Sequence, residues 1–216
     1  MSASGRFDLS DDPARSTLDL LDWKRRIFDL YRDVRSEPEP RAAWDRWRTV
    51  REDLFAHHPQ SPIPPERRAV FGGLPYFDYD LASRVSAEVR PAEPEPYDIA
   101  TSGEPGGSYR FTRFAVASFE LWGRPLQLEL FWLEGYGGGV FLPFRDSTSG
   151  RETYGAGRYL LDTVKGADLG EEEGRLVLDF NFAYNPSCAY DPQWVCPLAP
   201  PANRLSVPIM AGERFG

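Results

Sequence analysis

Most residues of this chain that could bind or react lie in its last third. Asp146, Tyr154, Arg158, Asp179, Asn181, Asn185 and Asn203 supply two carboxylates, a guanidinium, a phenol and three amides. Set around otherwise apolar strand ends, they suit a mostly apolar pocket with a few fixed polar groups. They are the ligand-binding candidates, and no catalytic role is assigned to any of them. The stretch that holds most of them, LVLDFNFAYNPSCAYDPQWVCPLAPPANRL, begins as a strand at Leu176 and then loses its period. Structureless loops longer than about 12–15 residues tend to be functional or disordered. Tyr184, Tyr190 and Trp194 favour order here. Asparagine side chains also supply partners to irregular backbone, so Asn181, Asn185 and Asn203 have a purely structural reading as well.

Cys188 and Cys196 are separated by seven residues. That is wide for a zinc knuckle, and there is no second pair. They read as two buried free thiols or, second, as a disulfide. The two histidines, His57 and His58, are adjacent in an extended segment, where they point to opposite sides and cannot chelate one ion together. Neither a metal nor a cofactor is expected. Gly155-Ala-Gly157 is not followed by a helix, and Gly135–Gly139 lacks the ending of a phosphate loop. Asp146-Ser-Thr resembles a catalytic aspartate loop, but a hairpin turn whose aspartate caps its own backbone explains it as well.

The elements that would position these residues are helical first and extended later. Residues 1–15 read as a flexible tail. From Ser16 to Arg35, Leu20, Trp23, Ile27, Leu30, Tyr31 and Val34 recur at helical spacing. Ser36-Glu-Pro-Glu-Pro40 is a turn, and Trp44, Trp47, Val50 or Arg51, and Leu54 mark a second helix. The short link predicts an antiparallel helical hairpin over residues 16–60. From Pro75 the period becomes two. Strands are expected at 76–81, 84–89, 109–122, 125–133, 139–144, 152–161 and 175–182, with Pro91–Pro96 a stiff spacer between two of them. In 125–133, Leu126, Leu128, Leu130 and Trp132 should share the inward face. The strand with Arg158 should pair with the one carrying Asp179 across the 166–174 turn, linking the two charges. The expected fold is therefore α+β: an N-terminal antiparallel helical hairpin packed on a mainly antiparallel β-barrel or β-sandwich, with a long ordered C-terminal loop. Residues 16–216 form one domain, with the β region at 70–182 and the irregular segment at 183–216.

A formal charge of −8 and the lack of a basic stripe argue against nucleic-acid binding. Arginine far outnumbers lysine, of which there are only Lys24 and Lys165, a bias that reads as codon composition and not as an arginine-dependent function. No apolar run is long enough to span a membrane, and the first residues carry no secretory pattern. With so few cysteines, a cytoplasmic protein with reduced thiols is expected. The composition says nothing of oligomeric state.

The strings FLPFRDSTSGRETYGAGRYL, LDFNFAYNPSCAYDPQWVCPLAPPANRL and IMAGE, with HPQSPI and FGGLPYF upstream, occur here in order. In them the chain resembles the DUF1684 family, a bacterial and archaeal group of unknown function, over roughly residues 20 to 214. Phe182 departs from the pattern, which has a basic residue after Asp-Phe-Asn. The resemblance implies no activity and no cofactor. Two functions are expected from the residues themselves: a small-molecule-binding or enzymatic domain with its pocket under the C-terminal loop, or a non-catalytic interaction module presenting the hairpin's Trp44, Trp47 and Phe55.

Overall fold

The structure is a computed structural model that describes residues 13–103 and 107–215. Most of the expected flexible tail therefore lies outside the described residues. Two long helices, α1 (Pro13–Ser36) and α2 (Pro40–His57), form the hairpin, and a single turn, α3 (Pro65–Arg68), follows. Proline at the first position of α2 suits a helix start, because the amide it lacks would be unpaired there anyway. Pro59 disfavours helix before it, and α2 ends at His57. The two histidines part, though not in an extended segment as expected: His57 closes α2 and His58 caps it. His57 is exposed, while the buried His58 ring accepts from Gln60 N at 3.0 Å and meets Asp22 of α1 at 3.2 Å.

The β region is one seven-stranded antiparallel sheet, open at both ends. Its strands are β1 (Arg84–Ala100), β2 (Ser108–Leu121), β3 (Arg124–Leu133), β4 (Gly139–Phe144), β5 (Arg158–Asp162), β6 (Glu171–Glu172) and β7 (Arg175–Asp179). The spatial order is β5-β4-β3-β2-β1-β7-β6, so the sheet does not close into a barrel. β1 is long enough to serve two partners: Arg84–Ala87 pair with β7 and Glu88–Ala100 with β2. The Pro91–Pro96 run is thus part of a strand, not a spacer. β7 does not reach that far, so these prolines sit on an open edge, and the register shifts between Pro91 and Glu95.

A second shift changes which residues of β3 are buried. β2 carries the extra residue Phe114 against β3, between Arg113↔Phe131 and Ala115↔Leu130. A bulge of this kind breaks the alternation of faces. Leu128 and Leu130 are buried, but the next buried residue is Phe131, and Trp132, expected to point inward, is 43 % exposed.

Three further expectations are corrected. Residues 76–81 form no strand, only a bridge between Tyr76 and Glu213. The strand expected over 152–161 shortens to β5, because residues 146–154 fold into turns. β7 ends at Asp179, and Phe180–Phe182 turn into a 3-10 helix that Asp179 caps by accepting from Asn181 N.

The main core lies between one face of the sheet and the C-terminal segment, where Leu205, Val207, Ile209 and Ala211 pack on Leu128, Leu142, Phe144 and Phe180. The hairpin buries Ile27, Leu30, Trp44 and Trp47 with Phe182 and Ala167. A smaller aromatic cluster, Phe111, Phe131, Phe141 and Tyr159, joins the sheet to Tyr184.

Candidate functional site

The seven candidate residues do not form one site. Arg158 is 1 % exposed and donates to Asp146 Oδ2 at 2.9 Å and to the carbonyls of Ile209 and Glu213 at 2.9 and 3.2 Å. It also donates to Ala211 O, and its plane lies over the Phe144 ring. The other oxygen of Asp146 accepts from the Thr148 and Ile209 amides at 2.8 and 3.2 Å. The pair is therefore a rivet between β5, the 146–148 turn and the C-terminal segment. Burial pulls the guanidinium pKa down, with Asp146 acting against it. Gly157 beside it, at φ +102°, lets the Phe144 carbonyl approach to where a Cβ would stand 2.6 Å away.

The expected link between Arg158 and Asp179 is absent. β5 pairs with β4 and β7 with β1, so four strands separate them. Asp179 instead caps the turn after β7, accepting from Asn181 N at 2.9 Å and Nδ2 at 2.8 Å, with Arg84 3.9 Å away. Burial pushes its pKa up to about 6 against those hydrogen bonds.

The asparagines are fasteners. Asn181 exchanges two hydrogen bonds with the backbone of Asp80, at 3.0 and 2.8 Å. Asn185 donates to Arg214 O at 2.8 Å. Asn203 fills a gap in the sheet. The register Phe131↔Phe141 would set Glu129 opposite Pro143, which has no N–H to give. Asn203 inserts its amide there, accepting from Glu129 N at 2.7 Å and donating to the carbonyls of Glu129 and Pro143 at 2.9 and 2.8 Å.

One buried ionic group was not among the candidates. Glu213, fully buried, accepts from Arg51 at 2.9 Å, from Asn185 N at 3.0 Å and from the Tyr190 hydroxyl. Arg51 also lies over the rings of Trp47, Phe55 and Tyr184. Burial lifts the Glu213 pKa to about 6, outweighing the pull of Arg51. The helical period of α2 put either Val50 or Arg51 on its inner face, but nothing local marks Glu213 as its partner. Trp44, Trp47 and Phe55, the stripe that suggested a docking surface, are all buried within the molecule.

A cleft of about 420 Å³ opens elsewhere under the C-terminal segment. α1 supplies Leu20, Trp23 and Lys24 to one wall. The sheet supplies Tyr109, Phe111, Leu133 and Phe141, the turn after β5 supplies Asp162, Val164 and Lys165, and residues 194–197 close the far side. Its volume falls in the usual range for small-molecule sites, about 300–1,000 Å³. Leu20, Tyr109 and Val195 at its rim are 47, 44 and 48 % exposed, an unusual grouping of large apolar side chains in contact with water. Both lysines of the chain line it. Lys165 meets Asp162 at 3.2 Å, while Lys24 makes no salt bridge among the described residues. None of the seven candidates lines this cleft. Cys196, in its wall, and Cys188, behind it, are buried and free, and Tyr154 stands 3.7 Å from Cys188 Sγ.

A second cleft, of about 390 Å³, lies between α1, the start of α2 and β7 and includes Asp179. Its charged groups already serve one another. Arg84 clasps Glu172, Asp179 holds Asn181, and Arg35 donates to Asp168 O. No helix among the described residues is long and apolar enough to cross a membrane.

The model of a family described as "Protein of unknown function (DUF1684)" matches residues 69–214. The chain belongs to the DUF1684 family. The matched span holds the whole sheet, both ends of the Asp146–Arg158 rivet and the C-terminal segment. The helical hairpin, with Leu20, Trp23, Lys24 and Arg51, lies outside it. The solution NMR structure of an uncharacterised protein from Haloarcula marismortui is similar, at 39 % identity and a TM-score of 0.58, over 81 % of this chain and 93 % of that one. No curated protein matches. For a DUF1684 protein, then, the reading of function rests on the cleft itself.

Proposed function

We propose that the protein binds a small, largely apolar molecule carrying an acidic head group, in the cleft between α1, the sheet and residues 194–197. The observation that carries this reading is the pairing of an apolar lining with the chain's two lysines. On a chain of net charge −8, with arginine at nearly every other cationic position, Lys24 and Lys165 both line this cleft. A lysine ammonium on a flexible stem can follow a carboxylate or phosphate held at a mouth. The aromatic and aliphatic lining would take the body of the ligand by burying its surface.

The test uses 1-anilinonaphthalene-8-sulfonate, an apolar anion whose fluorescence rises on leaving water. The native protein is expected to bind it saturably. Lys24→Glu with Lys165→Glu should weaken binding by about tenfold or more, the scale of a 1.4 kcal/mol loss. Leu20→Trp, which fills the mouth from an exposed helical position, should also weaken it. Equal affinity in all three proteins contradicts the reading.

A further inference from the structure

We propose that Cys188 and Cys196 form a dithiol site that a hydroperoxide converts to a disulfide. The residues are seven apart in sequence, and the irregular backbone folds back to bring them together. Cys188 lies in a 3-10 turn, Ser187–Ala189, and donates its amide N–H to Cys196 Sγ at 3.4 Å. That contact sets the Cys196 sulfur against the backbone of Cys188, so the two thiols are neighbours. Cys196 is fixed from its other side, its amide donating to Ser102 Oγ at 3.0 Å and its carbonyl accepting from Ser102 N at 2.9 Å. Tyr154 sets its hydroxyl 3.7 Å from Cys188 Sγ.

The surroundings divide the labour between the sulfurs. Hydrogen bonds from the Cys196 thiol, Ser102 and Tyr154 favour the Cys188 thiolate and bring its pKa down, while the same contact pushes the Cys196 thiol up. The pair thus gives up its first proton readily and holds the second. Ser187, next to Cys188, and Cys196 both stand in the cleft wall, which gives a small oxidant a way in beside Cys188. Raised thiolate character beside a second thiol is the arrangement of a reactive cysteine with a resolving partner.

In the first step the Cys188 thiolate attacks the terminal oxygen of the hydroperoxide. The S–O bond forms as the O–O bond breaks, and the leaving alkoxide or hydroxide takes a proton from water to leave as alcohol or water. Cys188 is then a sulfenic acid. In the second step the Cys196 sulfur attacks it. The S–S bond forms, the S–O bond breaks, and the hydroxyl leaves as water with the proton of Cys196. Two thiols are oxidised by two electrons, and one hydroperoxide is reduced to an alcohol, or to water when the oxidant is hydrogen peroxide. The step needs no ligand in the cleft and stands apart from the ligand reading above.

The experiment treats the reduced full chain with a small excess of hydrogen peroxide, then denatures, alkylates and weighs it. The expected product has lost two hydrogens and takes up no alkylating agent, and a peptide map joins Cys188 to Cys196. Dimedone should label Cys188 in Cys196→Ser, while Cys188→Ser should lose thiol about tenfold more slowly than the native chain. The serine variants replace a thiol by a hydroxyl of similar size, and circular dichroism checks their fold. Thiols that stay alkylatable, or that gain two or three oxygens each without a crosslink, overturn the proposal. A dimedone label confined to Cys196 in Cys188→Ser, with none at Cys188 in the converse variant, overturns the assignment of the attacking sulfur.

Discussion

Two regions under the C-terminal segment differ in what they leave open. Around Asp146, Arg158, Arg51 and Glu213, charged groups are buried, close and densely hydrogen-bonded. Around Lys24 and Lys165 the lining is ordinary, the charges face water, and about 420 Å³ stays open. The first region has the chemistry of a site but has spent most of its donors and acceptors on the fold, leaving Arg51 Nε, Arg158 Nε and Asn185 Oδ1 without a partner among the described residues. A ligand could enter it only by displacing bonds that hold residues 203–213 in place. The second has room and, in Lys24, a cation with no ion pair among the described residues, while Lys165 shares its charge with Asp162. Satisfied polar groups fasten; a vacant apolar surface with a free charge receives.

The contrast breaks first at the rivet. Asp146→Asn leaves the Arg158 guanidinium buried without a counter-charge, and removing one partner of such a pair costs about 3–5 kcal/mol. Urea unfolding should show that loss, and a change within about 0.5 kcal/mol would mean that the pair is not structural.

The second effect is pH dependence. Asp179 and Glu213 have pKa values near 6 in the folded chain against ordinary values of 3.8 and 4.5. Between those limits the folded state binds more protons than the unfolded one. Their contribution is thus fully present below about pH 4 and is lost as pH rises through 6, by about 3 kcal/mol for Asp179 and about 2 kcal/mol for Glu213. Asp179→Asn should flatten its share of that slope, read from urea midpoints between pH 4 and 7. A variant whose slope matches the native chain contradicts the burial of a titrating Asp179.

Smaller again is Asn203→Ala. It strands Glu129 N–H and two carbonyls in the sheet, at about 1–3 kcal/mol for a buried group left unpaired. The smallest stability change belongs to the cleft. Lys24→Glu, at an exposed position with no salt bridge among the described residues, should stay within about 0.5 kcal/mol while altering the binding of an acidic probe. Stability changes as large as those at Asp146 would show that the cleft, too, is structural.

Much of the fold is legible in the chain because its signals are local. The stripes of α1 and α2, the turn at 36–40 and the strands at 109–122, 125–133 and 139–144 follow from spacing alone. What was hidden depends on partners far away in sequence. The bulge at Phe114 exists only when β2 meets β3, and it turns Trp132 out and Phe131 in. β7 reads as the neighbour of β5 because the turn between them is short, yet it crosses to β1, and so Asp179 and Arg158 never meet. The role of Asn203 follows from a proline sixty residues upstream. The asparagines were conspicuous because irregular backbone needs them, and that need, not a ligand, explains their positions. The cleft is assembled from short pieces of α1, the sheet, the turn after β5 and the 194–197 stretch, each of which reads as plain core or turn. Its one signal was compositional: two lysines in a chain of arginines.

The central claim is that ligands enter the lysine-lined cleft and leave the buried charged network untouched. The most direct measurement is a ¹⁵N NMR titration of the full chain with decanoate, an apolar body with a carboxylate head. The account predicts saturable amide shifts gathered at Leu20, Lys24, Phe111, Val164, Lys165 and Val195, with little change at Asp146, Arg158 or Asn203. Shifts centred on Asp179 and Asn181, or none at the cleft, would contradict it.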